Sequence, residues 1–95
     1  METDNSELLR QQELVNIAKS IELKPVISSN VGGIGYDAEH QLLKVAFKNK
    51  ENYNYYLYEN VNEEQYNSII SAQSVGKMLQ ESIIRNKDKH NYIKL

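Results

Sequence analysis

The sequence predicts an α+β fold: an N-terminal helix, a three-stranded antiparallel meander, and two C-terminal helices packed on one sheet face. Three observations predict it. Apolar residues before Pro25 and after Asn62 recur at helical spacing, while those of residues 43–47 alternate with their neighbours at a period of two. Pro25 stands where the first helical pattern stops, and the residue ahead of a proline is driven out of the helical region. Asn62 and Ser74 each precede a helical pattern with a side chain able to accept from the free amides of a helix start.

In chain order, the first helix is expected over residues 4–23. Ser6 or Asn5 can cap it, and Asp4 and Glu7 suit the positive end of its dipole. Leu8, Leu14, Val15, Ala18 and Ile21 form its apolar stripe, which needs a bed on this chain or on another. Val26-Ile27-Ser28 and Ile34-Gly35-Tyr36 read as short extended pieces around Val31-Gly32-Gly33, where glycine permits a bulge or a close backbone approach. Residues 37–41 turn the chain. Leu43, Val45 and Phe47 then alternate with Lys44, Ala46 and Lys48, as in a strand with one buried face. Lys50-Glu51-Asn52 turns it again, and Tyr53 to Tyr58 is an aromatic strand closed by Val61. Asn62 with Gln65 fits a capping box for a helix carrying Tyr66, Ile69 and Ile70. Ser74 caps the next helix, in which Val75, Met78, Leu79 and Ile83 point inward. Tyr92 to Leu95 is an apolar tail suited to an edge strand.

Ninety-five residues make one domain, and a chain of this size buries only about 60–65% of its unfolded surface. There is no cysteine, so no disulfide and no thiolate ligand or nucleophile is available, which suits a reducing compartment. Residues 1–10 lack a basic start and an apolar run of signal-peptide length, and no stretch approaches the roughly 20 apolar residues that span a bilayer. A cytoplasmic location without membrane contact is expected. The net charge of −2 conceals a gradient: residues 1–24 hold five acids and three bases, whereas residues 77–95 hold Lys77, Arg85, Lys87, Lys89 and Lys94 against Glu81 and Asp88. An anion would prefer the C-terminal end.

Several blocks in order, Ser28-Ser29-Asn30, Ile34-Gly35-Tyr36-Asp37, Leu43-x-Val45-x-Phe47, Tyr56-x-Tyr58-x-x-Val61, Tyr66 and Ala72-x-Ser74-Val75-Gly76-Lys77, resemble the KTSC domain family. That family is named for a domain related to the C-terminus of lysyl-tRNA synthetases and also occurs as stand-alone bacterial and phage proteins. The resemblance covers residues 25–95 and leaves residues 1–24 as an amphipathic extension. This chain departs from the family pattern in having no glycine between Lys48 and Tyr55. By association with the synthetase, the resemblance implies RNA binding.

Three groups of residues are candidates for such binding. Ser74, Gly76 and Lys77 stand at a helix start, where free amides and the dipole favour phosphate; no glycine precedes them at Walker A spacing and no Ser or Thr follows the lysine. The plainer account is a cap and a tight helix contact. Tyr56 and Tyr58, set beside Lys44 and Lys48 on one sheet face, would form a stacking platform for bases; cross-strand aromatic pairs also simply stabilise sheets. Arg85, Lys87 and Lys89, with His90, could meet a phosphate backbone or merely be solvated. His40, with Asp37 and Glu39, forms neither a triad nor a known metal motif. The expectation is a non-enzymatic RNA-binding module with no cofactor, metal ligand or catalytic residue. The alternative is a phage or prophage interaction module that binds a host protein or forms a homo-oligomer through residues 4–23.

Overall fold

A five-stranded antiparallel meander, in the order β1-β2-β3-β4-β5, organises the computed structural model. The structure describes residues 5–86 and 88–95, with side chains from Leu8 onward. Asp4, the expected caps Asn5 and Ser6, and Lys87 therefore lie outside the described side chains. Helix α1 runs from Asn5 to Ser20, shorter than the expected 4–23. The helix ends five residues ahead of Pro25, which instead sits with Lys24 in the two-residue strand β1.

The three expected central strands are present as β2 (Val31–Asp37), β3 (Leu42–Asn49) and β4 (Asn52–Tyr58). Val26 to Ser28, expected as an extended piece, lies outside any strand, and β2 begins only at Val31. Two edge strands enlarge the expected three-stranded meander: β1, and β5 at Tyr92–Lys94. The β3–β4 hairpin turns on Lys50 and Glu51 alone. Without a glycine there, Lys50 takes a left-handed φ of 54°, a conformation side chains adopt at a cost. Helices α2 (Glu63–Ile70) and α3 (Val75–Ser82) follow, then a 3-10 turn at Ile84–Asn86.

Each face of the sheet has its own core. Leu43 and Val45 of β3, Ile34 of β2 and Tyr58 of β4 bury themselves against Ile69 of α2, Leu79 of α3 and Ile83 at the C-terminal cap of α3. Fully burying one such aliphatic side chain stabilises by about 1.5–3 kcal/mol. The two C-terminal helices thus lie on one sheet face, as expected. The capping box holds the start of α2: Asn62 Oδ1 accepts from Gln65 N at 2.8 Å, and Gln65 Oε1 accepts from Asn62 N at 3.1 Å. Tyr36 and Tyr66 stack with ring centroids 4.5 Å apart, and the Tyr36 hydroxyl donates to the Val61 carbonyl.

Helix α1 lies on the opposite face, where Ala18 and Ile21 meet Leu42 and Leu57. Its C-terminus comes down onto β2. A Cβ at Gly35 would overlap the Glu22 carbonyl oxygen and stand 2.6 Å from Ile21 Cγ2, so glycine there allows the backbone crossing. Farther back, Arg10 pairs with Glu59, just beyond β4.

Candidate nucleic-acid interface

The aromatic strand β4 sorts its tyrosines by the period of two. Register pairs Leu43 with Tyr58, Val45 with Tyr56 and Lys44 with Leu57; directly paired residues share a face. Tyr56 and Tyr58 therefore lie on the α2/α3 face, and Lys44 and Lys48 on the α1 face. The expected platform of Tyr56, Tyr58, Lys44 and Lys48 is thus divided between opposite sides of the sheet. The physical reason is parity: positions 44 and 48 fall out of phase with positions 43 and 45, which pair with Tyr58 and Tyr56. Both lysines also have backbone partners. Lys44 Nζ donates to Ala18 O at 2.9 Å and to Ile21 O at 3.4 Å, satisfying the end of α1, and Lys48 Nζ donates to Ser28 O at 2.8 Å.

Tyr56 and Tyr58 instead meet a residue that the period of β4 does not reveal. Strand β5 pairs Tyr92 with Tyr58 and Lys94 with Tyr56, which sets Tyr92 5.9 Å from the Tyr56 ring and 6.0 Å from the Tyr58 ring, centroid to centroid. Phe47 meets Tyr56 edge-on at 5.6 Å. These rings form one wall of a cleft of about 350 Å³, whose other wall is Ile83, Ile84 and His90. Tyr58 is buried, and burial, with Tyr56 and Tyr92 beside it, pushes its hydroxyl up to about 12. Tyr92 is 53% exposed and offers its ring to solvent.

His90 fixes the far wall. Only 4% exposed, it lies 3.1 Å through Nδ1 from the Glu59 carbonyl and 3.2 Å through Nε2 from Gln65 Nε2. A carbonyl oxygen only accepts, so the proton sits on Nδ1 and Nε2 accepts from the Gln65 amide. His90 is thus tied to the capping box of α2 and is not part of a solvated basic run. The exposed Arg85 and Lys89 sit on this same wall segment, one residue from Ile84 and His90 respectively. Sequence alone placed the basic residues and the tyrosines in separate groups; the fold brings their segments together.

The third group stands elsewhere. Ser74 caps α3, its Oγ accepting from Lys77 N at 3.3 Å, and Lys77 is exposed. Ser28, Ser29 and Asn30 face this helix start across a polar hollow of about 260 Å³. A Cβ on Gly76 would lie 3.2 Å from Ser28 Oγ, so the glycine lets the two segments approach closely. Arg85 and Lys89 lie beyond the other end of α3, so the helix start and the basic segment form two separate patches.

Among the described residues, the one grouping of three metal-capable side chains is Asp37, Glu39 and His40 in the β2–β3 turn. His40 Nδ1 lies 3.0 Å from Asp37 Oδ2. This hydrogen bond raises the His40 imidazole above its ordinary value. Slight burial opposes ionisation of Asp37, but hydrogen bonds from His40 outweigh it and hold the carboxyl lower. The arrangement is a hydrogen-bonded pair that stabilises the turn, with His40 N also donating to Asp37 Oδ1 at 3.2 Å. No helix among the described residues is long and apolar enough to cross a membrane.

The comparisons with known proteins agree with this architecture. No curated protein matches the chain. Among solved structures, a KTSC domain protein from Yersinia pestis is 28% identical, superposes with a TM-score of 0.67, and covers 80% of this chain and 99% of its own. The family model described as "KTSC domain" matches residues 27–87 of the 95. With that match over more than half its length, and the blocks at Ser28–Asn30 and Ser74–Lys77 facing each other across the polar hollow at the start of α3, the chain belongs to the KTSC domain family.

Proposed function

We propose that this chain is a non-enzymatic RNA-binding module whose aromatic cleft takes an unpaired base while Arg85 and Lys89 meet the flanking phosphates. One observation carries the reading: a half-exposed tyrosine, Tyr92, stands beside Tyr56 in an open cleft whose opposite wall belongs to a basic segment. A planar base stacks on an aromatic ring whatever its identity, contributing about 1–3 kcal/mol per base. Single-stranded RNA presents such bases unstacked, which favours it over duplex DNA. The polar hollow at Ser74, Gly76 and Lys77 is a secondary phosphate contact in this reading, displaced from the cleft by the length of α3.

The test is fluorescence anisotropy with a labelled single-stranded RNA and its DNA equivalent in 50 mM salt. Tyr92→Ala and Arg85→Ala should each weaken RNA binding at least five-fold, and Lys77→Ala should weaken it less. All three side chains are exposed, so circular dichroism should show an unchanged fold. Absence of a complex with either nucleic acid, or binding indifferent to Tyr92 and Arg85, defeats the reading.

A further inference from the structure

The α1 face of the sheet is only half covered. Helix α1 rests on Leu42 and Leu57 through Ala18 and Ile21, and Arg10 pairs with Glu59 at the exit of β4. Beyond that pair Leu8 and Leu9 are 56% and 59% exposed. From Ala18 to Arg10 the helix advances roughly 12 Å, and its contacts pass from Leu42 and Leu57 to Glu59, just past the end of β4. Beside the helix, on the same face, a groove of about 400 Å³ runs between Val15 and Lys19, Tyr55 and Leu95. A second hollow of about 200 Å³ continues it past Tyr55 toward Tyr53, Ala46 and Gly33. Each molecule therefore carries an apolar groove without a cover and a helix segment without a bed.

Spacing connects the two. Leu8, Val15 and Lys19 fall within about 40° of one another around the helix, on a stripe separate from the buried Ala18 and Ile21 and the partly buried Leu14. Charge does so as well. By sequence, residues 1–13 hold Glu2, Asp4, Glu7 and Glu13 against Arg10 alone, whereas Lys19 and Lys44 line the groove. We infer that the groove is filled by the N-terminal half of α1 from a second copy, lying antiparallel beside the resident α1. In this arrangement Leu8 of each copy covers Tyr55 and Leu95 of the other, and each acidic half lies along the other's lysines. A two-fold axis repeats every contact. A parallel arrangement would set acid beside acid.

Light scattering coupled to size exclusion, run on the full chain from 1 to 200 µM, tests this. The expected mass is twice 11.0 kDa at the upper concentrations, with the dissociation constant rising at least ten-fold in Leu8→Glu and in Lys19→Glu, and rising also in 0.5 M salt. Both substituted side chains are exposed, so the melting temperature should not move when measured at concentrations where parent and variants are all monomeric. A monomer throughout, or a dimer indifferent to both substitutions, overturns the inference. So does a monomer that binds an apolar dye in a Tyr55-dependent manner, since the groove would then take a small ligand. Tyr92→Ala should leave the dimer intact and Leu8→Glu should leave RNA binding intact, because the two sites lie on opposite faces.

Discussion

Gly35 and Gly32 lie three residues apart yet do different work. A Cβ on Gly35 meets backbone of the Ile21–Leu23 segment, which cannot move without lifting α1 from the sheet. A Cβ on Gly32 meets only the ring edge of Tyr53, an exposed side chain free to swing. Gly35→Ala should therefore cost about 1–3 kcal/mol, whereas Gly32→Ala should cost less than about 1 kcal/mol; urea denaturation of the two variants separates them. Tyr58 gives a second prediction at this scale. Its hydroxyl is pushed from 10.0 to about 12 by burial and by its tyrosine neighbours, so the fold favours the neutral form. The associated stability is complete below pH 10 and is lost as pH climbs toward 12. An ultraviolet titration of the seven tyrosines should lose its latest phase in Tyr58→Phe.

At the scale of elements, the ends of the helices explain more than their middles. Lys44 rises from the centre of β3 to accept the role of C-cap for α1, donating to the carbonyl of Ala18 in its last turn and to that of Ile21 just beyond it, where a cation also meets the negative end of the dipole. Lys44→Met should cost about 1–2 kcal/mol, and hydrogen exchange should quicken at the amides of the last turn of α1 while those of β3 change little. A variant whose exchange pattern matches the parent would show that the ammonium contacts contribute nothing. The capping box of α2 was legible in the sequence because both partners lie within four residues, at Asn62 and Gln65. The cap from Lys44 was not, because its partners lie 23 and 26 residues away and a lysine in a strand reads as a solvated face.

Across the whole molecule, the same contrast between local and distant separates what could be read in advance. Alternation in residues 43–47 and helical spacing after Asn62 put the right residues in the larger core except Ile70, which the end of α2 leaves 42% exposed. The cleft could not be assembled that way. Its tyrosines and the segment bearing Arg85, Lys89 and His90 meet only because β5 returns to pair with β4, a register that no local period encodes. Parity did contain a usable signal: Tyr56 and Tyr58 share the phase of Val45, not of Lys44, once the two-residue hairpin is known. The fold also sets the expected response of RNA binding to salt. Two to three single-strand phosphate contacts, from Arg85, Lys89 and the neighbouring basic residues, imply a loss of roughly ten-fold between 50 and 200 mM salt. A flat salt profile in the same anisotropy experiment would place binding outside the basic segment.

The stunted outer strands carry a consequence of their own. A long unpaired strand is a template on which another chain can polymerise through its main chain. Here the outer strand at one margin of the sheet has two residues, one of them a proline without an amide hydrogen, and the outer strand at the other has three. Concentrating this protein should therefore not seed fibrils by backbone zippering, and whatever it recruits must be recognised through side chains.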